Sequence, residues 1–200
     1  MSAHGTYATI DGRPAVRFER RLPHPVDAVW RAVTDPAELE HWFPCAVTVD
    51  LRPGGAMRFT FSADLAYDGE VVELDPPHRF AFNWGADLLR FELAADGDGT
   101  RLTLVHVLRE EGADAAAKTA AGWHLCLDAM ARRLAGEPAP AAGEPAPAAH
   151  AGEPAPAAGE TAPAAHAGPS QDWMARYDEY RAAGLPSGAP VPGLDEAPAS

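Results

Sequence analysis

The sequence predicts an α+β domain in which an antiparallel sheet is followed by one long helix close to the end of the domain. Short runs of alternating apolar and polar residues follow one another between turns rich in Gly, Pro and Asp, a pattern typical of an antiparallel meander. Residues 115–134 instead repeat apolar side chains at helical spacing. Two short helical segments after the first strand complete the predicted order of elements.

The two short helices each begin near a proline. Residues 13–22 alternate as a half-buried strand does, and the first helix follows them. Pro25 suits the first turn of that helix, because the N–H that proline lacks would be unpaired there. Asp35 then caps a second helix, with Pro36 at its first position, and this helix ends near residues 42–44.

The rest of the domain is predicted as a meander and a final helix. The further strands cover residues 46–51, 56–62, 67–74, 79–84, 89–93 and 100–109. The turn at residues 96–99, Asp-Gly-Asp-Gly, favours a hairpin because Gly and Asp tolerate positive φ. The long helix presents one apolar stripe, which consists of Trp123, Leu127, Met130 and Leu134. Gly136 is expected to end it.

The composition changes after residue 135 and divides the chain. Residues 137–168 contain a 16-residue unit twice, EPAPAAGEPAPAAHAG and EPAPAAGETAPAAHAG, which lacks the large apolar groups needed to offset chain entropy. The predicted segments are a flexible N-terminus (1–12), the domain (13–135), a disordered repeat linker (136–169), a short aromatic helix that docks on the domain (170–184) and a disordered tail (185–200). Trp173, Tyr177 and Tyr180 mark that helix by their spacing.

The charge and the cysteines exclude several classes of protein. A net charge of −13 argues against nucleic acid and against anionic membranes, which both require clustered Lys and Arg. There is neither a signal-peptide pattern nor an apolar run long enough to span a bilayer. Cys45 and Cys126 are far apart and form no disulfide framework. A cytoplasmic location is therefore expected.

A set of local motifs occurs in a characteristic order. They are residues 20–30, Thr34-Asp35-Pro36, Glu38-Leu39, Trp42, Arg52-Pro53-Gly54-Gly55 to Phe59, Gly69-Glu70-Val71 to Asp75-Pro76-Pro77, Phe82 to Trp84, residues 100–106 and Gly122-Trp123-His124. Together they resemble the START/SRPBCC (Bet v 1-like) superfamily. Within it, they resemble the bacterial group named after the activator of heat-shock-protein-90 ATPase homologue. The resemblance covers about residues 14–135. It implies a helix-grip (START-like) fold, in which a curved antiparallel sheet wraps around the long C-terminal helix and leaves a cavity between them.

Apolar side chains on the predicted inner faces are the candidate ligand-binding residues. A concave sheet closed by one helix leaves the kind of apolar space, with few polar groups, that small-molecule sites require. The candidates are Trp42, Phe59, Phe61, Tyr67, Phe82, Trp84, Phe91, His106, Trp123 and Leu127. His106 shares the strand parity of Leu102 and Leu104 and is expected to point inward, either as a hydrogen-bonded core residue or as an acid or base.

No catalytic residue, cofactor or metal ligand is predicted. The nucleophile, phosphate-loop, dinucleotide and zinc motifs are absent from the sequence, and His124 and Cys126 do not face each other on a helix. The leading hypothesis is a non-enzymatic protein, monomer or homodimer, that binds a small hydrophobic molecule. One alternative is a chaperone-associated or other protein-interaction module. Another is an enzyme similar to polyketide cyclases and dehydratases, which would need two polar groups beside His106.

Overall fold

One antiparallel sheet of eight strands organises the computed structural model, which describes residues 4–137 and 170–191. Its strands are β1 (Thr6–Ile10), β2 (Arg13–Leu22), β3 (Ala46–Val49), β4 (Ala56–Thr60), β5 (Ala66–Asp75), β6 (Arg79–Trp84), β7 (Asp87–Asp96) and β8 (Gly99–Val107). The helices are α1 (Val26–Thr34), α2 (Pro36–Leu39), α3 (Ala116–Leu134) and α4 (Gln171–Ala182), and a 3-10 turn, Glu110–Ala115, precedes α3. The strand order is β1-β2-β8-β7-β6-β5-β4-β3. The predicted helix-grip fold is confirmed.

The inner face of the sheet carries a row of large apolar side chains. Phe18 of β2 and Phe91 of β7 both lie opposite Leu104 of β8, and Phe80 of β6 lies opposite Phe91. Each of the four is at most 1 % exposed. Burying a side chain of this size stabilises a fold by about 1.5–3 kcal/mol. The strict alternation of the strands therefore fixes which face of the sheet is covered by the helices.

The N-terminal segment differs from the sequence prediction. Residues 1–12 were expected to be flexible, but Thr6–Ile10 forms β1 and pairs with β2 along its whole length. The hairpin turn consists of Asp11 and Gly12, with φ of 52° and 80°. Positive φ at both central positions defines the tight turn that Asp-Gly favours. The prediction of a flexible segment is therefore wrong for residues 6–10, because the Asp11-Gly12 turn brings them against β2.

The C-terminal segment also differs, at the start of α3. Residues 185–200 were expected to be disordered, yet the Pro186 carbonyl accepts a hydrogen bond from the Ala117 N–H at 2.9 Å, and Leu185 and Val191 are buried. The first N–H groups of a helix have no partner within the helix, and α3 begins without a side-chain cap. Residues 185–191 therefore supply a partner that the sequence near α3 lacks. Residues 192–200 lie outside the described part.

The end of α3 is a glycine cap, as predicted. Gly136 has φ 73°, its N–H bonds to the Arg133 carbonyl, and the Glu137 N–H bonds to the Arg132 carbonyl. This pair of bonds defines the Schellman motif, which satisfies carbonyls that a helix end leaves free. The predicted repeat linker, residues 136–169, lies outside the described residues beyond Glu137.

Helix α4 packs on α3 through three aromatic residues. Trp173, Tyr177 and Tyr180 are buried, and Ser170 caps the helix by accepting the Trp173 N–H. The Tyr180 hydroxyl accepts a hydrogen bond from the Gly5 N–H at 2.9 Å and pairs with Nδ1 of His124 on α3 at 2.8 Å. A helix of 12 residues is marginal alone. These tertiary contacts therefore hold it in place.

Replacing Tyr180 by Phe is expected to lower the free energy of unfolding by about 1–3 kcal/mol, because the buried Gly5 N–H and His124 Nδ1 then lose their partner. Urea denaturation of the full chain measures the effect. Tyr177→Phe is the matched control. Its hydroxyl makes a single part-buried hydrogen bond, to the Ser187 carbonyl, and its loss should cost less. Equal losses in the two variants would contradict a special role of the Tyr180 hydroxyl.

Candidate functional site

Five aromatic side chains meet between the sheet and α3, and we call them the aromatic box: Phe43, Phe59, Phe82, Trp84 and Trp123. Phe59 lies on β4, Phe82 and Trp84 on β6, and Trp123 on α3. The ring centroid of Phe43 lies 6.2 Å from that of Phe59, 6.4 Å from Phe82, 5.4 Å from Trp84 and 5.6 Å from Trp123. These separations are typical of attractive aromatic pairs. The box is thus a single cluster with Phe43 at its centre.

Other predicted pocket residues surround the box. His106 and Phe61 stack on Trp84 with centroids 6.3 Å and 6.0 Å away, and Phe91 lies 6.3 Å from Phe82. Trp42 contacts Phe43 and Phe91, Leu127 is buried one turn after Trp123, and Tyr67 contacts Phe61. Phe61 and Tyr67 are only half-buried, next to the turn between β4 and β5. The interior therefore reaches the surface on this side.

Phe43 is the member of the box that the sequence analysis missed. It lies between α2 and β3, in a segment without helical or strand periodicity. Periodicity assigns side chains to a face only within regular elements, so it gave no direction for this ring. The adjacent aromatic pair Trp42-Phe43 just before a proline was the available signal.

A polar network lies next to the box. The indole N–H of Trp123 donates to Nδ1 of His106 at 2.8 Å, and Nε2 of His106 lies 2.8 Å from a carboxylate oxygen of Asp87. The other Asp87 oxygen accepts the Arg109 N–H at 2.8 Å. An indole nitrogen can only donate, so Nδ1 must be the accepting nitrogen and Nε2 must carry the proton. The network thus fixes one tautomer of His106.

This arrangement limits what His106 can do chemically. The ring points inward, as its strand parity predicts, and is fully buried. Both nitrogens already have partners, so no lone pair is free to accept a proton from a bound molecule. The geometry favours the hydrogen-bonded core residue over the acid or base.

A second polar cluster lies where α4 covers α3. His124 contacts Tyr180 through Nδ1, and its Nε2 lies 3.5 Å from Asp128. Burial lowers the pKa of His124 to about 4, while Asp128 opposes the shift. Burial also raises the pKa of Tyr180 to about 12. His124 is therefore a neutral core residue at neutral pH.

Arg20 brings a charge into the same cluster from the inner face of β2. Its nearest carboxylate oxygen, on Asp128, is 3.9 Å away, and neither terminal guanidinium nitrogen has a hydrogen-bond partner among the described residues. Burial lowers the pKa of Arg20, and Asp128 partly offsets this. The guanidinium stacks over Phe18 at 5.3 Å, which supplies a cation–π contact in place of hydrogen bonds.

The two thiols are not placed for nucleophilic chemistry. Cys45 and Cys126 are free and buried. Burial raises the pKa of Cys45 to about 12 and raises that of Cys126 as well. Since the thiolate is the reactive form, neither residue is activated.

The described residues offer neither a metal cluster nor a membrane span. No group of three or more His, Cys, Asp or Glu is placed to hold a metal ion within residues 4–137 and 170–191. In the same part of the chain, no helix combines the length and the apolar character needed to cross a bilayer. A cleft of about 400 Å³ on the outer face of the sheet is lined by polar groups that include His78, Arg79, Glu92 and Arg101. It lies on the face of the sheet that points away from the aromatic box, and its polar lining does not suit an apolar ligand.

A curved antiparallel sheet that grips one long helix over an aromatic interior defines a protein of the SRPBCC superfamily. The family model described as "Activator of Hsp90 ATPase homolog 1-like protein" matches residues 23–135, and the chain belongs to this family. The resemblance seen in the sequence is therefore confirmed. No curated protein matches the chain.

Solved structures agree with this assignment. The solution structure of CalU16 from Micromonospora echinospora is 26 % identical, with 91 % of this chain and 94 % of that chain covered and a TM-score of 0.61. DynU16, from the dynemicin biosynthetic locus, is 30 % identical over 62 % of this chain and 49 % of its own, with a TM-score of 0.56. EF2215 from Enterococcus faecalis, described as a conserved protein of unknown function, shares the fold at 20 % identity, with 65 % of this chain and 76 % of that chain covered and a TM-score of 0.58.

Replacing Asp87 by Ala is expected to lower the free energy of unfolding by about 2–3 kcal/mol, because the His106 and Arg109 N–H groups lose their shared acceptor. Chemical denaturation measures the loss. Asp98→Ala is the control, since Asp98 is 90 % exposed and its ion pair with Arg21 is a surface pair of little value. A loss no larger than that of the control would show that the network does not hold His106.

Stability is also expected to depend on pH through His124. The pKa of His124 is lowered on folding, so between pH 6.5 and 4 the unfolded chain binds more protons than the folded chain. The free energy of unfolding therefore decreases as the pH is lowered through this range. The free energy of unfolding above pH 6.5 thus exceeds that below pH 4 by an amount on the order of 3 kcal/mol through His124 alone. The groups that face the ring are His4, Arg20, Asp128, Arg176 and Tyr180.

The variant His124→Asn keeps a side-chain group at the position of Nδ1 and removes the titration. Its stability should vary less than that of the wild type between pH 4 and 6.5, as measured by urea denaturation at each pH. The exposed His41→Asn should follow the wild type. Parallel curves for wild type and His124→Asn would refute the assignment.

Proposed function

We propose that this protein binds a small, flat, largely apolar molecule between the sheet and α3, at the aromatic box, without catalysing its conversion. The observation that carries the proposal is the position of Phe43. Four aromatic walls on β4, β6 and α3 surround this one ring, and the ring comes from an irregular segment.

The walls and the central ring differ in how firmly they are held. Phe59, Phe82 and Trp84 are fixed by strand pairing, and Trp123 is fixed by its helix and by its hydrogen bond to His106. Phe43 is held by a turn hydrogen bond from its N–H to the Leu39 carbonyl and not by strand pairing, and segments of this kind move at lower cost than core strands. A flat ligand that replaced the Phe43 ring would keep the same aromatic contacts. We propose that Phe43 fills the ligand's place when no ligand is bound.

The relatives support a small molecule. DynU16 is a protein in a biosynthetic locus, and CalU16 resembles this chain over nearly its whole length. A biosynthetic context favours a small-molecule ligand over a chaperone partner.

Binding is favoured over a cyclase or dehydratase activity. Such an enzyme would need a free base next to the ligand. The nearest candidate, His106, has both ring nitrogens engaged by Trp123 and Asp87. Native mass spectrometry of freshly purified protein, compared with its denatured mass, tests the proposal directly. A co-purifying molecule of small mass is the expected result.

Fluorene is a flat, apolar probe for the proposed site. Replacing Phe43 by Ala is expected to lower its dissociation constant by tenfold or more, because the probe no longer has to displace the Phe43 ring. Titration calorimetry measures the dissociation constants. The variant is expected to lose about 3–5 kcal/mol of stability, as large-to-small core substitutions do. Phe43→Leu, which keeps most of the volume, serves if the alanine variant does not fold.

The control is Phe80→Ala, which removes the same ring from β6 outside the box. A new apolar cavity can bind a single ring wherever it lies, but fluorene is larger and needs further space. The aromatic box offers that space where it reaches the surface beside the half-buried Phe61 and Tyr67. Phe80→Ala should therefore not gain affinity. If Phe43→Ala or Phe43→Leu weakens binding, Phe43 is a wall of the site. If wild type and variants all fail to bind, the proposal is wrong.

A further inference from the structure

The indole N–H of Trp84 differs from those of Trp42 and Trp123, the two other fully buried tryptophans among the described residues. Trp42 donates to the Ala32 carbonyl at 2.8 Å, and Trp123 donates to His106 at 2.8 Å. Trp84 is only 1 % exposed, and its indole nitrogen has no hydrogen-bond partner among the described residues. Buried donors are nearly always paired, so this group requires an explanation.

The aromatic neighbours of Trp84 offer no acceptor to its indole N–H. Its ring contacts are with Phe43, Phe59 and Phe61, which have no acceptor, and with Trp123, whose side chain can only donate. The remaining contact, His106, has both nitrogens engaged. An acceptor carried by a molecule bound at the aromatic box would satisfy this donor.

Thr119, on α3, is a second buried polar residue whose side chain has no hydrogen-bond partner among the described residues. Its side chain is fully buried. A helical Thr commonly satisfies its hydroxyl on the carbonyl one turn earlier, but Thr119 does not. It precedes Trp123 by one turn and so shares the face of α3 that contacts Trp84.

Resting on the proposed function, we infer that the ligand of the aromatic box is a flat aromatic compound with a carbonyl-type oxygen, and that this oxygen accepts the Trp84 indole N–H. Thr119 provides a second polar contact from α3. Trp84 is thereby the residue that selects an oxygenated ligand over a plain hydrocarbon of the same shape. A hydrocarbon ligand would leave the buried Trp84 N–H unpaired, which is costly, whereas an oxygenated ligand would pair it. This difference favours the oxygenated ligand.

The test compares two probes of the same shape, 9-fluorenone and fluorene, which differ in the carbonyl oxygen. The quantity measured is the ratio of their dissociation constants on the full chain. The Trp84→Phe variant keeps an aromatic ring and removes the donor. The preference for fluorenone over fluorene is expected to be about tenfold or more larger in wild type than in this variant. Thr119→Val, of similar shape, should reduce the preference by a smaller factor.

Trp173→Phe is the matched control. Its indole nitrogen is also buried without a partner, but it lies on α4, outside the box. Removing it should leave the ratio unchanged. In the ¹H–¹⁵N spectrum of wild type, the indole resonance that disappears in Trp84→Phe should shift downfield with fluorenone and not with fluorene.

The outcomes separate the two proposals. If both probes bind wild type with a ratio that Trp84→Phe does not change, the Trp84 donor is satisfied otherwise, for example by water, and this inference is wrong while the proposed function stands. If neither probe binds wild type or Phe43→Ala, the proposed function fails as well. If Trp173→Phe changes the ratio as much as Trp84→Phe, the effect is not local and the inference is overturned.

Discussion

The contact between Trp123 and the inner face of the sheet is the interaction on which the interior depends. Its ring packs against Phe43 and Trp84, and its indole N–H holds His106, which in turn is held by Asp87 at the start of β7. One side chain of α3 therefore joins the helix to three parts of the chain through both apolar packing and a directed hydrogen bond. Because a hydrogen bond fixes orientation as well as distance, this contact sets how α3 lies across the sheet.

The buried polar groups fall into two kinds. The Asp87–His106–Trp123 network and the Tyr180–His124 pair are satisfied and link distant parts of the chain. The Trp84 indole N–H and the Thr119 hydroxyl are unpaired and are associated with the aromatic box, whereas the unpaired nitrogens of Arg20, Arg90 and Trp173 lie outside it. Satisfied networks favour a single, well-ordered core, whereas local violations of the pairing rule mark candidate functional positions. The contrast supports a ligand site at the box, which the position of Phe43 indicates independently, and a structural role for His106.

The segments beyond α3 complete the domain. Helix α4 bridges His124 to the N-terminal Gly5, and residues 185–191 supply a carbonyl to the uncapped start of α3. These contacts join Gly5, residues 185–191 and α3, so stability is shared between residues far apart in sequence. The aromatic spacing of α4 indicates a helix with an apolar side, but the partner of that side is defined only in three dimensions.

The sequence by itself determined the order of most strands and of the helices, the inward parity of the strand residues, the start of α2 and the end of α3, whereas α2 ends at Leu39 and not near residues 42–44. Each of these follows from periodicity, proline and glycine geometry within a few residues. Only the tertiary structure decided that residues 185–191 belong to the domain, that Phe43 is the centre of the box, and that Trp84 lacks a partner. An irregular segment has no period from which to assign a face. Whether a donor is paired depends on atoms that lie far apart along the chain, such as Asp87, His106 and Trp123.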